Sequence, residues 1–328
     1  MTGRSESEPT STQETSVSSR RSASRSTTGT EEIHGSLSET KRREPMAPAQ
    51  VGVLGGGRMG AGIAHAFLLA GSRVSVVERD DESAAAAAHR VGDSIRRSVE
   101  RDGGLDETEI RSRLDTGTDA TAFGECDLVI EAVPEERTLK ETALSRAEAA
   151  MPAYAILASN TSSISIDDLA SRRLRPERFL GLHFFNPVPA SALVEVVQGS
   201  ATSPDVIDSA RVWVSALGKT PIVVRDSPGF ASSRLGVMLG LEAIRMLEDG
   251  VASAADIDAA MTLGYRHPTG PLRTTDIVGL DVRLGIAEEL ERAFGERFAP
   301  PELLRRMVAE GKLGRKSGQG FYEWNEER

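Results

Sequence analysis

Gln50-Val51-Gly52-Val53-Leu54-Gly55-Gly56-Gly57-Arg58-Met59-Gly60 is the stretch that decides the fold of this chain. Val51–Leu54 is a short apolar strand, and Gly55–Gly60 fits G-x-G-x-x-G. Small residues over Met59–Ala70 read as a helix closed by Gly71, and Arg73–Val77 reads as a second strand. A lone glycine-rich match also fits a hairpin. A strand before it and a helix after it make instead the opening of a βαβ unit, the setting in which such a loop holds a dinucleotide. Gly55 allows the tight turn, Gly57 lets a pyrophosphate approach the backbone, and Gly60 lets helix pack on strand. The phosphates then lie at the positive end of the helix. Glu78 follows the second strand. A carboxylate there accepts hydrogen bonds from the ribose diol and repels a 2′-phosphate, which selects NAD over NADP. Arg79 beside it works against that selection.

The same alternation continues along the chain. Helical stretches read at Glu82–Arg101, Glu136–Ala149 and Pro204–Leu217. Short strands read at Asp127–Ala132, Ala155–Ala158, Phe179–Phe184, Leu193–Val197 and Pro221–Val224. Strands alternating with helices predict an α/β fold, a mostly parallel, doubly wound sheet of the Rossmann type. After Pro228-Gly229 the strands stop. Leu235–Leu247, Ala254–Leu263, Val278–Phe294 and Glu302–Glu310 all have helical spacing, which predicts an all-α C-terminal domain. The expected division is a tail over 1–48, a dinucleotide-binding domain over 49–227 and a helical domain over 228–328.

Met1–Glu44 is mostly Ser, Thr, Arg and Glu, and its few apolar residues follow no period. Such a segment cannot offset the entropy of ordering, so disorder is expected. No apolar run follows its charges, which excludes a secretory signal, and seven glutamates balance its basic residues, unlike a mitochondrial presequence. Met46 stands where an alternative translation start is expected. The whole chain has 328 residues and a net charge of −10, from 39 basic and 49 acidic side chains. That balance excludes a general nucleic-acid binder, whose phosphate contacts need a basic face. A single cysteine, Cys126, excludes a disulfide scaffold and a Cys-rich metal site, and fits a reducing cytoplasm. No apolar run approaches the ~18 residues of a membrane span.

A second constellation carries chemistry: Ser159-Asn160-Thr161-Ser162-Ser163, His183-Phe184-Phe185-Asn186-Pro187, and Glu195. Of the five histidines, His34 lies in the tail, His65 and His89 on helices, and His267 before a proline. Only His183 ends an apolar strand of the sheet, where open α/β folds place their ligand crevice. Alone it would read as a structural histidine. Glu195, however, interrupts Leu193-Val194-Glu195-Val196-Val197, where a buried carboxylate is costly unless paired. A His–Glu bond satisfies both groups and makes the imidazole a better base. With Ser162 the pair also resembles a hydrolase triad, but the chain has no G-x-S-x-G elbow.

Gly55–Gly60, Glu131-Ala132-Val133-Pro134-Glu135, Ser159–Ser163, Gly181-Leu182-His183-Phe184-Phe185-Asn186-Pro187-Val188-Pro189, Asp226-Ser227-Pro228-Gly229-Phe230, Gly270-Pro271 and Gly314-Arg315-Lys316-Ser317-Gly318-Gln319-Gly320-Phe321-Tyr322 together resemble the 3-hydroxyacyl-CoA dehydrogenases, the bacterial 3-hydroxybutyryl-CoA branch above all. The resemblance implies an NAD-dependent oxidoreductase acting on an acyl-CoA, with His183 as general base and Glu195 its partner. It implies that Ser162 bonds the reacting oxygen and that Asn186 lies near substrate and nicotinamide. Glu135, Lys140 and Lys316 fall where the family contacts NAD, and Ser94 and Arg101 where it contacts coenzyme A, Arg101 replacing a lysine. Ser233 stands where the family usually has an asparagine that touches substrate. No metal is implied, and a homodimer joined through the helical domain is. Two alternatives keep the fold: a non-CoA hydroxy acid as substrate, as in the related gulonate and carnitine dehydrogenases, and a catalytically silent dinucleotide-binding protein.

Overall fold

The structure, a computed structural model, describes residues 46–324. The expectations for the tail therefore lie outside the described residues. The sheet contains β1 (Gln50–Leu54), β2 (Arg73–Val77), β3 (Leu114–Gly117), β4 (Leu128–Glu131), β5 (Ile156–Ser159), β6 (Phe179–Phe184), β7 (Leu193–Gln198) and β8 (Thr220–Arg225). Their order is β3-β2-β1-β4-β5-β6-β7-β8. Every pairing is parallel except β6 with β7. The chain runs outward in one direction from β1 and then in the other from β4, so the crevice between them is the switch point where such sheets bind ligands.

Alternation along the strands gives the sheet two apolar faces. Val51, Val53, Leu128, Ile130, Ile156, Ala158, Leu180 and Leu182 pack on one side with α1 (Arg58–Leu69), α2 (Asp81–Arg101) and α6 (Pro204–Ala216). Val129, Leu157, Phe179 and Val197 pack on the other with α4 (Arg137–Ala150) and α5 (Ile166–Ala170). By the same alternation His183 and Glu195 both turn to the α4–α5 side.

The doubly wound sheet is as the sequence predicts, with additions. The strand β3 and the short helices α3 (Glu107–Arg111) and α5 were not read from the sequence. In Leu114-Asp115-Thr116-Gly117 two of four residues disfavour strands, and pairing with β2 overrides them. After β8 come helices α7 (Ser232–Glu248), α8 (Ala254–Gly264), α9 (Pro271–Val278), α10 (Leu280–Phe294) and α11 (Glu302–Ala309), around an apolar cluster of their own. The sequence predicts one helix from Val278 to Phe294. Gly279 instead adopts φ +106°, a conformation that suits glycine, and separates α9 from α10. The described chain ends in a clasp. Buried Asp276 accepts from the backbone N–H groups of Phe321 and Tyr322 and from the indole of Trp324, whose ring lies under the guanidinium of Arg273. The other tryptophan, Trp213, lies on α6 against the sheet.

Candidate active site

A cleft of about 990 Å³ follows the ends of β1, β2, β4, β5 and β6, from Glu78 and Arg79 past Gly55 and Gly57 to Ser162, His183 and Asn186. Gly55 turns with φ +96°. A Cβ on Gly60 would collide with the Gly55 carbonyl, so that glycine sets the contact of helix and turn. A Cβ on Gly57 would meet nothing within 4 Å, which leaves the backbone open to the cleft. Gly57 is also the N-cap of α1 and supplies no side-chain cap, whereas Asp80 caps α2 and Glu136 caps α4. The first amides of α1 are thus left for an anion, the provision that a pyrophosphate needs. Glu78 lines the cleft and accepts from the Gly56 N–H at 2.6 Å. The residues present therefore fit a dinucleotide.

Beyond the switch point lies a buried ionic network. Glu131 ends β4 and accepts from Lys140 Nζ (2.8 Å), Ser159 Oγ (2.6 Å) and the Val133 N–H (2.7 Å). Lys140 also meets Glu135 at 3.1 Å. Lys140 is 1% exposed, so it is no solvated helix face. Burial pushes the Glu131 carboxyl up, against the pull of Lys140. Burial raises Glu135 too, but Lys140, Thr161 and Ser162 outweigh it and hold Glu135 below its ordinary value. Glu135 Oε1 receives Thr161 Oγ1 at 2.6 Å, Ser162 N at 2.8 Å and Ser162 Oγ at 3.3 Å. The loop after β5 is thereby tied to the loop after β4.

His183 and Glu195 are opposite one another in the antiparallel pairing of β6 and β7. His183 Nδ1 lies 2.7 Å from Glu195 Oε2. A carboxylate only accepts, so Nδ1 carries the proton and Nε2 is left as the basic nitrogen. Glu195 is fully buried and accepts three further bonds, from Ala231 N (3.1 Å), Ser232 N (2.9 Å) and Ser232 Oγ (2.8 Å). Burial raises its carboxyl, and the bonds from His183 and Ser232 more than reverse that, holding it below the ordinary value. Phe185 and Phe230 flank the imidazole at centroid distances of 4.5 and 5.7 Å. Asn160 Oδ1 accepts from the Phe184 N–H at 2.9 Å, and Lys219 Nζ donates to the carbonyls of Val188 (2.6 Å) and Ser191 (2.5 Å). The end of β6 and the loop that leads to β7 are thereby held in place. An ionised, buried carboxylate behind an imidazole is equipped to help it take a proton from an alcohol and return it.

The cleft gathers Gly55, Gly57, Glu78, Glu135, Lys140, Ser162, His183 and Asn186. Gly60 and Glu195 stand behind that lining, and four more residues singled out in the sequence lie elsewhere. Lys316 stands outside the cleft lining and binds Asp281 at 2.6 Å. Ser94 donates to the Arg90 carbonyl. Arg101 lines a second cavity, of about 300 Å³, with His65 and Lys219. Burial and the charges of Arg101 and Arg97 bring His65 down to about 4. Ser233 is half-buried beside Ser232. Sequence reading missed Ser232 and Glu131. Glu131 carried a usable signal, a charge ending an otherwise apolar strand, as Glu195 interrupts one. Ser232 carried only its place at a helix start, where serine is common.

The comparisons with known proteins bear on the family and the fold. The family model described as 3-hydroxyacyl-CoA dehydrogenase, NAD binding domain, matches residues 50–227, and the C-terminal domain of the same family matches residues 229–324. A probable 3-hydroxybutyryl-CoA dehydrogenase of Deinococcus radiodurans is 40% identical over 275 residues, 83% of this chain and 99% of that protein. The human mitochondrial hydroxyacyl-coenzyme A dehydrogenase is 38% identical over 286 residues, 84% of this chain and 90% of the relative. The solved (S)-3-hydroxybutyryl-CoA dehydrogenase of Ralstonia eutropha superposes with a TM-score of 0.81 at 38% identity, covering 85% of this chain and 100% of that one. The chain belongs to the 3-hydroxyacyl-CoA dehydrogenase family, with NAD as its dinucleotide.

Proposed function

We propose that this chain is an NAD-dependent oxidoreductase that interconverts (3S)-3-hydroxyacyl-CoA and 3-oxoacyl-CoA, with 3-hydroxybutyryl-CoA and acetoacetyl-CoA as its short-chain pair. The observation that carries this reading is the buried His183–Glu195 pair at the end of a cleft shaped for a dinucleotide. Gly55, Gly57 and Gly60 shape the phosphate cradle, Glu78 takes the ribose diol, and Glu135 and Lys140 border the nicotinamide end. When bound, NAD supplies the acceptor and donor of the hydride. His183 Nε2 removes the proton of the 3-hydroxyl in one direction and returns it to the 3-oxo oxygen in the other. Glu195 holds the ring by Nδ1 and steadies the imidazolium that forms. Ser162 donates to the reacting oxygen, which requires its hydroxyl to leave Glu135. Asn186 positions substrate in the same part of the cleft. Ser94 and Arg101 bind coenzyme A, and Ser233 contacts the acyl group.

Residues 49–227 form the NAD-binding domain in this reading, and 228–328 the substrate and dimerisation domain. Exposed Leu235, Leu263 and Tyr265 on the helical segment support a homodimer joined there. Among the described residues no helix is long and apolar enough to cross a membrane, and we place the enzyme in the cytoplasm.

Loss of NADH absorbance with acetoacetyl-CoA tests the activity, with free acetoacetate and NADPH as controls. Rapid loss that requires both NADH and the thioester is the expected result. No loss while NADH still binds, or equal loss with free acetoacetate, overturns it.

A further inference from the structure

The parallel register of β5 and β6 ends at Ser159 opposite Gly181, while β6 runs on to Phe184. Past Ser159 the chain turns to Glu135, whose Oε1 receives Thr161 Oγ1 and both the N–H and the hydroxyl of Ser162 and of Ser163. The ladder thus stops before the end of β6, which leaves the N–H of buried Phe184 to be met by another acceptor. Asn160 supplies it. Its Oδ1 accepts from Phe184 N at 2.9 Å, so a side-chain carbonyl stands in for the strand carbonyl. An N–H only donates, so the oxygen of the amide is the atom that faces it. The backbone N–H of Asn160 donates in turn to the Glu131 carbonyl at 2.8 Å, which fixes the residue to the end of β4.

That one bond joins two groups of the reaction. Ser162 follows Asn160 by two residues, and His183 precedes Phe184. In the reading above both meet the same oxygen, His183 Nε2 taking its proton and Ser162 Oγ donating to it. Each is held by a network of its own, Ser162 by Glu135 and Lys140, His183 by Glu195 and Ser232. Among the described residues, Asn160 Oδ1 to Phe184 N is the only hydrogen bond between residues 160–163 and 183–186. A displacement of ~1 Å at a reacting group costs on the order of 10²-fold in rate, so this bond spans the gap where misplacement matters most.

We propose that Asn160 is a positioning residue for the reaction: by tying the loop after β5 to the end of β6 it sets the spacing of Ser162 and His183. The proposal rests on the 3-hydroxyacyl-CoA reading above and adds a residue to it. Asn160 acts through these two groups, so its loss is felt in turnover and not in coenzyme affinity. Because its side chain also lines the cleft, the test has to separate positioning from direct contact with coenzyme.

The experiment is a double-mutant cycle in the full-length protein, with Asn160→Ala and Ser162→Ala alone and together. The kcat for acetoacetyl-CoA is read at saturation, and a fluorescence titration gives both the affinity for NADH and the number of binding sites. Asn160→Ala should lower kcat by about 10- to 100-fold with NADH affinity and site number unchanged. In the Ser162→Ala background the same change should cost only a few-fold, since the group to be placed is gone, so the two losses do not multiply. Losses that do multiply overturn the proposal, and so does an unchanged kcat. An NADH affinity that falls in step with kcat overturns it too, by making Asn160 a coenzyme contact. Should Asn160→Ala bind no NADH, Asn160→Ser, whose hydroxyl is one bond short of Phe184, goes through the same cycle with the same outcomes. Wild-type turnover separates the two failures. Without it the 3-hydroxyacyl-CoA reading itself is lost, whereas wild-type turnover with independent losses removes only the role of Asn160.

Discussion

Ser232 holds Glu195 twice, through its backbone N–H at 2.9 Å and its hydroxyl at 2.8 Å, so the first residue of α7 fixes the carboxylate that orients His183. Ser232→Ala removes one of these bonds and leaves the other. A hydrogen bond to a charged group is worth about 1.5–3 kcal/mol, and the loss should appear in kcat by about tenfold. NADH affinity, read by fluorescence titration, should change little. An unchanged kcat would show that the backbone bond alone suffices.

His183→Gln keeps a polar side chain at the end of β6 but removes the basic nitrogen. Turnover should fall by roughly 10²- to 10⁴-fold, with NADH binding nearly intact. A variant that turns over at a normal rate would mean that the base lies elsewhere.

Glu195 titrates below its ordinary value in the folded protein. Its contribution to stability is therefore present above the unfolded value and lost as pH falls through the folded one. The gap in melting temperature between wild type and Glu195→Gln should be widest near neutrality and close as pH drops below about 4.5. A gap that stays constant down to pH ~3 would contradict the assignment of charge.

Lys140→Met leaves Glu131 and Glu135 facing each other without their shared cation. Breaking a buried pair costs about 3–5 kcal/mol, measurable by denaturant unfolding. Glu131 is raised in the folded state, so the stability it supplies is fully present below its unfolded value and lost as pH rises. The deficit of Lys140→Met should therefore be larger at pH 7 than at pH 5. Adding Glu131→Gln should recover a good part of it.

Two glycines of one loop should behave differently. Gly60→Ala drives a methyl into the Gly55 carbonyl and should lower stability even without ligand. Gly57→Ala meets open space. It should fold normally and weaken only NADH, by about 10-fold or more if the methyl stands where a phosphate must approach. Equal stability losses in the two variants would refute that division.

Much of this was legible in the sequence because it rests on patterns of short range. The G-x-G-x-x-G turn, the carboxylate after β2, and a histidine and a glutamate set in apolar strands each stand out within a few residues. The pairing of His183 with Glu195 followed from cost, since a carboxylate inside an apolar strand needs a partner. The illegible parts depend on partners distant in the chain. Lys140 reads as a solvated helix residue until Glu131 and Glu135 meet it. The break at Gly279 was hidden because one glycine inside a periodic run fits a helix as well as a hinge.

The placement of the two tryptophans gives the protein a built-in pair of optical reporters. Trp213 sits against the sheet on α6, and Trp324 in the clasp on Asp276. Replacing either one by phenylalanine leaves a single emitter, in the sheet segment or in the helical one. Emission followed through a urea titration then reads each segment by itself. Coincident curves would mark one cooperative unit, and separated curves would give the order in which sheet and helices let go.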